Sequence, residues 1–436
     1  MKITDVRAVL LTGPSTLDPY LSVCRGRRSV ALIEILTDEN MTGVGETYAG
    51  YFCPELVPGI VDFFKPILIG QSPDAIDELW QRMYHCGNFW CRVGLGIAVL
   101  NGIEAALWDL KGKLEAKPAY ELLGGTKHDS LAAYATGGPA NYPLDALAGK
   151  IDFYLSHGFK GAKLSVGKYT QENGFEISGD ANQAADVEAA KLEFLRQKFG
   201  PDIELILDGH MGNSPRNTWN FATAQKVMKA VEPYRLLFFE EPLHYTDSLG
   251  YAALCNTSKV PIAGGEALTG VCEWQMFIEK DCFDVGQPDA SFTGGMGQVL
   301  KVASLLAARN RKIATHAWGA GASLMQNVHA AFACPNALIV EVPPAYGPLH
   351  SELIGDSFQM QNGRVLPPRK PGFGISLTPQ IEKRFPFVPG SGEFNSVAGK
   401  ILDEEVQYLS KGERPNDSQN ETASILGLEI YELKRK

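Results

Sequence analysis

The stretch Ile203-Glu-Leu-Ile-Leu-Asp-Gly-His210 ends an apolar run with two side chains that can do chemistry. Because side chains alternate between the faces of a strand, Asp208 and His210 are expected on one face, where the run becomes a loop. Later apolar runs end in the same way, in Glu240, Glu266, Asp289, His316 and Glu341. From Asp208 onward the successive separations are 32, 26, 23, 27 and 25 residues. A strand, a loop and a helix of a repeating β/α unit take about that length.

The repeat covers the chain from residue 131 onward. Apolar runs suited to buried strands lie at 131–138, 161–167, 203–210, 236–243, 260–268, 283–290, 311–318 and 337–344. Amphipathic segments lie between them, at 144–158, 186–200, 220–234, 247–258, 270–281, 295–310 and 323–335. Strict alternation predicts an α/β fold with a parallel sheet. Eight strands favour a closed TIM-type barrel, although an open doubly wound sheet shows the same alternation.

The two ends of the chain have a different pattern. Before the repeat, strand patterns at 6–11 and 29–37 and a Gly-rich third run precede helix patterns at 56–67, 75–84 and 93–114, which together predict an α+β unit. A polar, Gly-rich excursion over 168–185 follows the second barrel strand, and beyond residue 345 the chain is irregular and rich in Pro and Gly.

The composition argues against several classes of protein. The chain of 436 residues has a net charge of −10 and no clustered Lys/Arg stripe, which argues against a nucleic-acid partner. Its eight cysteines form no CxxC pair, which fits free thiols in a reducing compartment better than disulfides or zinc. The first residues carry no apolar signal region, and no apolar run reaches the length of a membrane span. A cytoplasmic protein without a membrane partner is therefore predicted.

Three carboxylates are expected at the carboxyl ends of consecutive strands. Asp208, Glu240 and Glu266 end the third, fourth and fifth strands, and active sites of such barrels lie at this face. Converging carboxylates repel one another, and a hard cation with oxygen ligands, Mg²⁺, resolves the repulsion. Glu241 competes with Glu240, since adjacent strand residues face opposite ways. The alternative is that the three are unrelated solvated acids at loop starts.

The remaining strand ends predict acid–base groups. Asp289 on the sixth strand is expected to orient His316 on the seventh, which makes the imidazole a general base rather than a structural histidine. Glu341 is a candidate acid or oxyanion donor if burial raises its pKa. On the second strand, Lys163 and Ser165 share a face, and Lys163 is expected to bind a carboxylate or enolate oxygen. Together these groups suit removal of a proton next to a carboxylate.

This set resembles the enolase superfamily, specifically the mandelate racemase subgroup. The residues that carry the resemblance are Asp208, Glu240 in Glu-Glu-Pro, Glu266 in Gly-Gly-Glu, Pro288-Asp289, His316, Glu341, Asn101-Gly-Ile-Glu-Ala-Ala-Leu-Trp-Asp109 and Pro118 to Gly125. The likeness covers roughly residues 1 to 375. It implies a (β/α)7β TIM-type barrel with an α+β capping domain, one Mg²⁺ on the three carboxylates, an Asp289–His316 base and a homo-oligomer.

The resemblance also implies three domains and two substrate-closing loops. The N-terminal capping domain is expected over 1–128, the barrel over 129–345, and a segment that completes the cap, with a tail extension, over 346–436. Loops at 17–28 and 48–53 are expected to close over the substrate, which makes Arg25 and Tyr48 candidate substrate contacts.

Two departures from the family pattern shape the functional prediction. Ser165 stands where a second lysine base is common, which argues against racemisation of the mandelate kind. His210 stands where asparagine is common and would be placed to protonate a departing hydroxyl; the alternative is a structural hydrogen bonder. The predicted function is Mg²⁺-dependent dehydration of an acid sugar to a 2-keto-3-deoxy acid. An epimerase, racemase or cycloisomerase of the same superfamily is the alternative, and a non-catalytic binding protein is a remote one.

Overall fold

The computed structural model describes residues 1–14, 27–136, 142–170, 174–212, 219–343 and 347–389. Arg25, most of the predicted loop at 17–28 and the tail after residue 389 lie outside the described residues. Within the described ranges, no helix is both long enough and apolar enough to cross a bilayer.

The N-terminal unit is an antiparallel sheet covered by helices. Its strands are β1 (Ile3–Pro14), β2 (Arg27–Thr37) and β3 (Thr42–Thr47), paired in that order. Its helices are α1 (Ala49–Phe52), α2 (Val57–Leu68), α3 (Ile76–Gly87), α4 (Leu95–Leu114) and α5 (Ala119–Leu122), with a 3₁₀ turn at Pro54–Leu56.

Glycine allows α4 to lie directly against this sheet. A Cβ on Gly45 would lie 2.4 Å from the carbonyl oxygen of Gly102, so only a bare backbone fits. The buried α4 also contacts the barrel, where Nδ2 of Asn101 donates to the carbonyl of Ala290 at 2.7 Å. The predicted α+β unit is confirmed.

In the barrel that follows, strands alternate with helices except for an inserted pair of short strands, β6 and β7. Its elements are, in chain order, β4 (Leu131–Ala135), α6 (Leu144–Ser156), β5 (Gly161–Ser165), β6 (Lys168–Thr170), β7 (Gly174–Glu176), α7 (Ala181–Phe199), β8 (Glu204–Asp208), α8 (Phe221–Val231), β9 (Phe238–Glu240), α9 (Ser248–Thr257), β10 (Ile262–Gly264), α10 (Gly270–Ile278), β11 (Val285–Gly286), α11 (Met296–Ala307), β12 (Lys312–Ile313), α12 (Gly321–Ala333) and β13 (Val340–Val342). A 3₁₀ turn at Glu232–Tyr234 follows α8.

The parallel sheet closes on itself. Neighbours pair in the order β4, β5, β8, β9, β10, β11 and β12, and β13 pairs in parallel with β4. A parallel bridge between Ile313 and Ala337 joins β12 to the segment before β13, which completes the ring. The (β/α)7β barrel is therefore confirmed, and the open sheet is excluded.

The polar excursion at 168–185 and the segment after the barrel both contain regular structure. β6 and β7 form a hairpin within the excursion, and α7 begins at Ala181, five residues earlier than predicted, because Asp180 accepts hydrogen bonds from the N–H groups of Asn182 and Gln183. After β13 come α13 (Pro348–Ile354), β14 (Met360–Gln361), β15 (Arg364–Val365) and α14 (Pro379–Arg384).

This last segment contacts both units. β15 pairs with β4 of the barrel, and the N–H of Thr12 on β1 donates to the carbonyl of Phe385 at 3.2 Å. That residues after 345 complete the cap stays a prediction.

One layer of apolar side chains fills the barrel interior below the carboxyl ends of the strands. It comprises Tyr134, Ile206, Phe238, Ala263, Val285, Ala314 and Ile339, one from each of seven strand runs. Because the strand repeat is two residues, the next inward-facing positions toward the carboxyl ends include 208, 240, 287, 316 and 341. Four of the polar residues singled out in the sequence, Asp208, Glu240, His316 and Glu341, thus lie in the layer directly above this apolar floor, together with Gln287.

Candidate active site

Two of the three predicted metal ligands lie side by side. Asp208 pairs in register with Glu240 on one side and with Ser165 on the other. All three are buried, and their side chains come from adjacent strands that end at the same face of the barrel. The structure therefore brings the ends of β5, β8 and β9 together.

Glu266 reaches the same face by a different route. The inward position above Ala263 belongs to Gly265, which has φ +109° and whose Cβ would lie 2.2 Å from the ring of Trp274, on the outer side of the sheet. This left-handed residue interrupts the alternation and turns Glu266 inward. Glu266 Oε2 then lies 3.5 Å from Nε2 of His316.

Lys163 lies at the centre of the carboxylates. Its Nζ is 2.9 Å from Glu240 Oε1, 3.1 Å from Asp208 Oδ2 and 2.8 Å from Glu341 Oε1. Burial disfavours the ammonium ion, but these three charges outweigh it and raise the pKa of Lys163 well above its usual value. A buried cation thus already partly neutralises the acidic cluster.

The donor set fits a hard cation chemically, although its atoms do not converge as they stand. Among the described residues, no three acidic, histidine or cysteine side chains are arranged to hold a metal ion. Within the same residues, Glu240 Oε2 is buried without a hydrogen-bond partner, and burial and the charge of Asp208 raise the pKa of Glu240 well above normal. A buried, unpartnered carboxylate oxygen is a group that a cation would stabilise, and all-oxygen donors suit Mg²⁺.

Glu241 lies in the same electrostatic cluster as Glu240. β9 ends at Glu240, and Glu241 has φ +41°, so the alternation that would separate the two side chains stops there. Glu241 is buried, and burial followed by the charges of Glu266 and Asp208 raises its pKa. Whether one or both of the pair join the ligand set stays a prediction, with Glu240 as the expected ligand.

Asp289 and His316 form a buried ion pair. His316 Nδ1 lies 2.8 Å from Asp289 Oδ2, which leaves Nε2 facing Glu266. Burial disfavours the imidazolium, but Glu266, Asp289 and Glu341 outweigh it and raise the pKa of His316 to about 10. The ring of Tyr48 lies 5.4 Å from the His316 ring, centroid to centroid, so this predicted substrate contact does line the site.

The orientation of Asp289 is strongly determined. Its Oδ1 accepts hydrogen bonds from the N–H and hydroxyl of Ser291, at 2.7 and 2.6 Å, and from Nδ2 of Asn327 at 2.9 Å. These donors leave Oδ2 to His316, which fixes the ring and its tautomer.

His210 lies at the open edge of the site. It has φ +46°, its N–H donates to Asp208 Oδ1 at 3.2 Å, and its Nδ1 lies 3.1 Å from the same oxygen. Its side chain is 40% exposed, whereas that of His316 is 5% exposed. The cluster therefore contains a buried imidazole and a solvent-accessible one.

Glu341 is held as a carboxylate. Burial favours its neutral form, but Lys163 and His316 outweigh burial and lower its pKa, and its Oε2 accepts from the N–H of Ala317 at 2.9 Å. The predicted use of Glu341 as an acid needs a raised pKa, and the arrangement gives the opposite direction. The positive charge of Lys163, rather than burial, therefore determines the protonation state of Glu341.

Gln287 is a buried polar residue of the barrel interior that the sequence analysis did not single out. Gly286 faces outward, since its Cβ would lie 2.4 Å from Leu306, so Gln287 faces the barrel interior. It is fully buried, and neither amide atom has a hydrogen-bond partner within the described ranges. Because side chains two residues apart on a strand share a face, its position two residues before Asp289 could have predicted that it faces the interior.

Comparisons with known proteins agree with this arrangement. Residues 147–381 match the family described as enolase C-terminal domain-like, and residues 15–124 match the mandelate racemase / muconate lactonizing enzyme N-terminal domain. An arabinonate dehydratase of Saccharolobus solfataricus is 30% identical over 80% of this chain and 88% of its own length.

Two solved structures are similar over nearly their whole length. L-Talarate dehydratase from Polaromonas sp. JS666, complexed with Mg and L-glucarate, has a TM-score of 0.73 at 28% identity, over 88% of this chain and 98% of that one. The 3,6-anhydro-D-galactonate cycloisomerase from Zobellia galactanivorans has a TM-score of 0.75 at 26% identity, over 89% and 100%. With the barrel, the capping domain and the motifs in place, the chain belongs to the mandelate racemase subgroup of the enolase superfamily.

Proposed function

We propose that this protein is an acid-sugar dehydratase that converts a polyhydroxy carboxylate into a 2-keto-3-deoxy acid. The observation that carries the proposal is the pair of imidazoles at one acidic cluster: His316 on Asp289, and the exposed His210 on Asp208. Dehydration needs one group to take a proton and one to protonate a hydroxide leaving group. The similarity to arabinonate and L-talarate dehydratases supports the same reaction class.

His316 is the proposed base. Its Nε2 takes the proton from the carbon next to the substrate carboxylate once the imidazole is neutral, which requires its pKa to fall from about 10; a cation on Glu266 would offset the charge that contributes most to raising that pKa. Asp289 stabilises the imidazolium that forms. The C–H electron pair moves into an enediolate. The ammonium group of Lys163 now contacts Glu240, Asp208 and Glu341, and it would donate a hydrogen bond to an enediolate oxygen once Asp208 and Glu240 turn toward a bound cation.

His210 is the proposed acid. Elimination breaks the bond between the β-carbon and its hydroxyl, a proton from His210 converts the departing hydroxide into water, and the resulting enol tautomerises to the ketone. Its partial exposure suits a group that must recover a proton from solvent in each cycle.

Asp208, Glu240 and Glu266 are the proposed ligands of one Mg²⁺ ion. When bound, the ion supplies positive charge that holds the substrate carboxylate and offsets the acidic cluster. The carboxylates would have to rotate from their present contacts, since Lys163 now bridges two of them.

A cycloisomerase is the second candidate, because one similar structure has that activity. Incubation of the protein with Mg²⁺ and a panel of aldonates and aldarates, read as 2-keto acid, tests the choice. Epimers that carry deuterium from D₂O, without keto product, would favour the alternative. Absence of keto product from every acid sugar would overturn the proposal. The domain boundaries, the cytoplasmic location and the homo-oligomer stay predictions.

A further inference from the structure

Among the described barrel helices, four have an N-cap residue that makes no side-chain capping bond, namely α6, α10, α11 and α12. α11 and α12 follow the strand ends that carry Asp289 and His316, and their N-cap residues are Gly295 and Ala320, which supply no capping side chain in the described structure. The helices α7, α8 and α9 are capped locally, by Asp180, Asn220 and Asp247. A helix start leaves four N–H groups in need of partners.

The capping domain supplies the missing partners of α11 and α12. Glu46 on β3 accepts the N–H of Ala320 at 2.5 Å with one oxygen and the N–H of Ser323 at 2.7 Å with the other. Glu104 on α4 does the same for α11, accepting the N–H groups of Met296 and Gly297 at 2.7 and 3.0 Å. Each carboxylate is buried at the interface between the two units.

A continuous chain of hydrogen bonds leads from the Glu46 cap to the catalytic pair. The hydroxyl of Ser323 lies 2.8 Å from that of Ser291, which donates to Asp289. Asn327, one turn further along α12, donates to the same oxygen of Asp289. The position of α12 therefore decides two of the contacts that orient Asp289 toward His316.

The four residues between His316 and α12 are also held from the capping domain. Arg28 Nη1 donates to the carbonyls of Trp318 and Gly319 at 3.2 and 3.4 Å. A Cβ on Gly319 would lie 2.5 Å from Cβ of Ser323 and 2.9 Å from Glu46 Oε1, so the connection is tightly packed. A movement of Glu46 would therefore displace this connection both at His316 and at the start of α12.

We propose that Glu46 is a positioning residue: the capping domain holds the Asp289–His316 pair in its productive geometry by capping α12 in trans. The inference rests on the proposed role of His316 as the base. Small displacements of a catalytic group are costly, on the order of 10²-fold in rate for about 1 Å.

The test compares Glu46→Ala with Asp180→Ala. Asp180 is the matched control because it also caps a barrel helix with two N–H hydrogen bonds, at 3.0 and 2.9 Å, but its contacts do not lead to the pair. Both variants are expected to lower the thermal midpoint. Only Glu46→Ala is expected to lower kcat, by about 10- to 100-fold with little change in KM.

A second readout needs no turnover. In protein labelled with ¹⁵N-histidine, the Nδ1–H resonance of His316, assigned by its loss in His316→Asn, should move in Glu46→Ala and stay in place in Asp180→Ala. The resonance reports on the Asp289–His316 pair even if the protein dehydrates no acid sugar. Failure of the positioning role of Glu46 can therefore be distinguished from failure of the proposed dehydratase function. An unchanged resonance and unchanged kcat in Glu46→Ala would overturn the inference.

A milder variant covers the case in which Glu46→Ala does not fold. Ser323→Ala retains the backbone N–H that Glu46 accepts and removes only the hydroxyl link to Ser291. A shift of the His316 resonance in Ser323→Ala supports transmission through α12. A wild-type resonance in this variant, with Glu46→Ala unfolded, would reduce Glu46 to a structural cap and refute the proposal.

Discussion

Replacement of Gly265 by alanine should both destabilise the barrel and weaken the acidic site. Gly265 has φ +109°, and an added Cβ would lie 2.2 Å from Cη2 and 2.7 Å from Cζ2 of Trp274, which is fully buried. A ring of this size inside a packed core cannot move aside freely. The backbone must therefore shift, and with it the adjacent Glu266.

Two free-energy costs of the Gly265→Ala substitution add, one from the backbone conformation and one from overpacking. The left-handed conformation costs a residue with a Cβ about 1–2 kcal/mol, and overpacking costs about 1–3 kcal/mol more. The expected loss is thus about 2–5 kcal/mol. For the 436 residues here, an unfolding entropy of about 2.1 cal/mol/K per residue converts this loss into a fall of about 2–5 °C in Tm if the chain unfolds as one unit.

Gly200→Ala is the matched control. Gly200 has φ +78° but no heavy atom within 4 Å of its added Cβ, so it carries the conformational cost without the packing cost. Thermal unfolding by circular dichroism should show a larger fall for Gly265→Ala. Titration with Mg²⁺ should raise the Tm of the wild type and of Gly200→Ala more than that of Gly265→Ala, because bound ligand stabilises only an intact site. Equal Tm values and equal Mg²⁺ responses would refute the reasoning.

Three further outcomes are expected. Asp289→Asn should lower the pKa of His316 and reduce α-proton exchange in D₂O by about 10²–10⁴-fold, because the imidazole loses its charge partner and its tautomer; exchange at the wild-type rate would contradict the dyad. His210→Asn should retain that exchange but lose 2-keto acid formation, and loss of both would contradict its role as acid. Burial raises the pKa of Glu104 to about 7, so the folded state binds this proton more tightly than the unfolded state does. The free energy of unfolding should therefore fall as the pH rises from about 4.5 to 7, by about 3 kcal/mol at most. Denaturant titrations of Glu104→Gln should show a flatter pH dependence, and an unchanged slope would refute this assignment.

The pattern of the sequence predicted the barrel because its determinants are local. Each strand of a parallel barrel is a short apolar run buried on both faces, and each helix has its own amphipathic period. A strand also alternates its side chains, so the floor residue Ile206 predicts that Asp208 lies one layer above it. The same rule places Phe238 below Glu240 and Ala314 below His316.

Where the backbone leaves the regular strand, the same rule fails. Glu266 faces the site because Gly265 adopts a left-handed conformation beside Trp274, which interrupts the alternation of the strand. Such turns depend on what packs against them, and no local pattern gives that.

The sequence by itself determined the order of the elements, the family and the residue types at the strand ends. The tertiary structure alone decided the charge states of these residues and the contacts that hold them in position. Lys163 lies among three acids and lowers the pKa of Glu341, although burial by itself would raise it. Likewise, Glu46 caps a helix that begins 275 residues later in the chain. Both effects act over a few ångströms between residues far apart in sequence, and only the folded chain brings those residues that close.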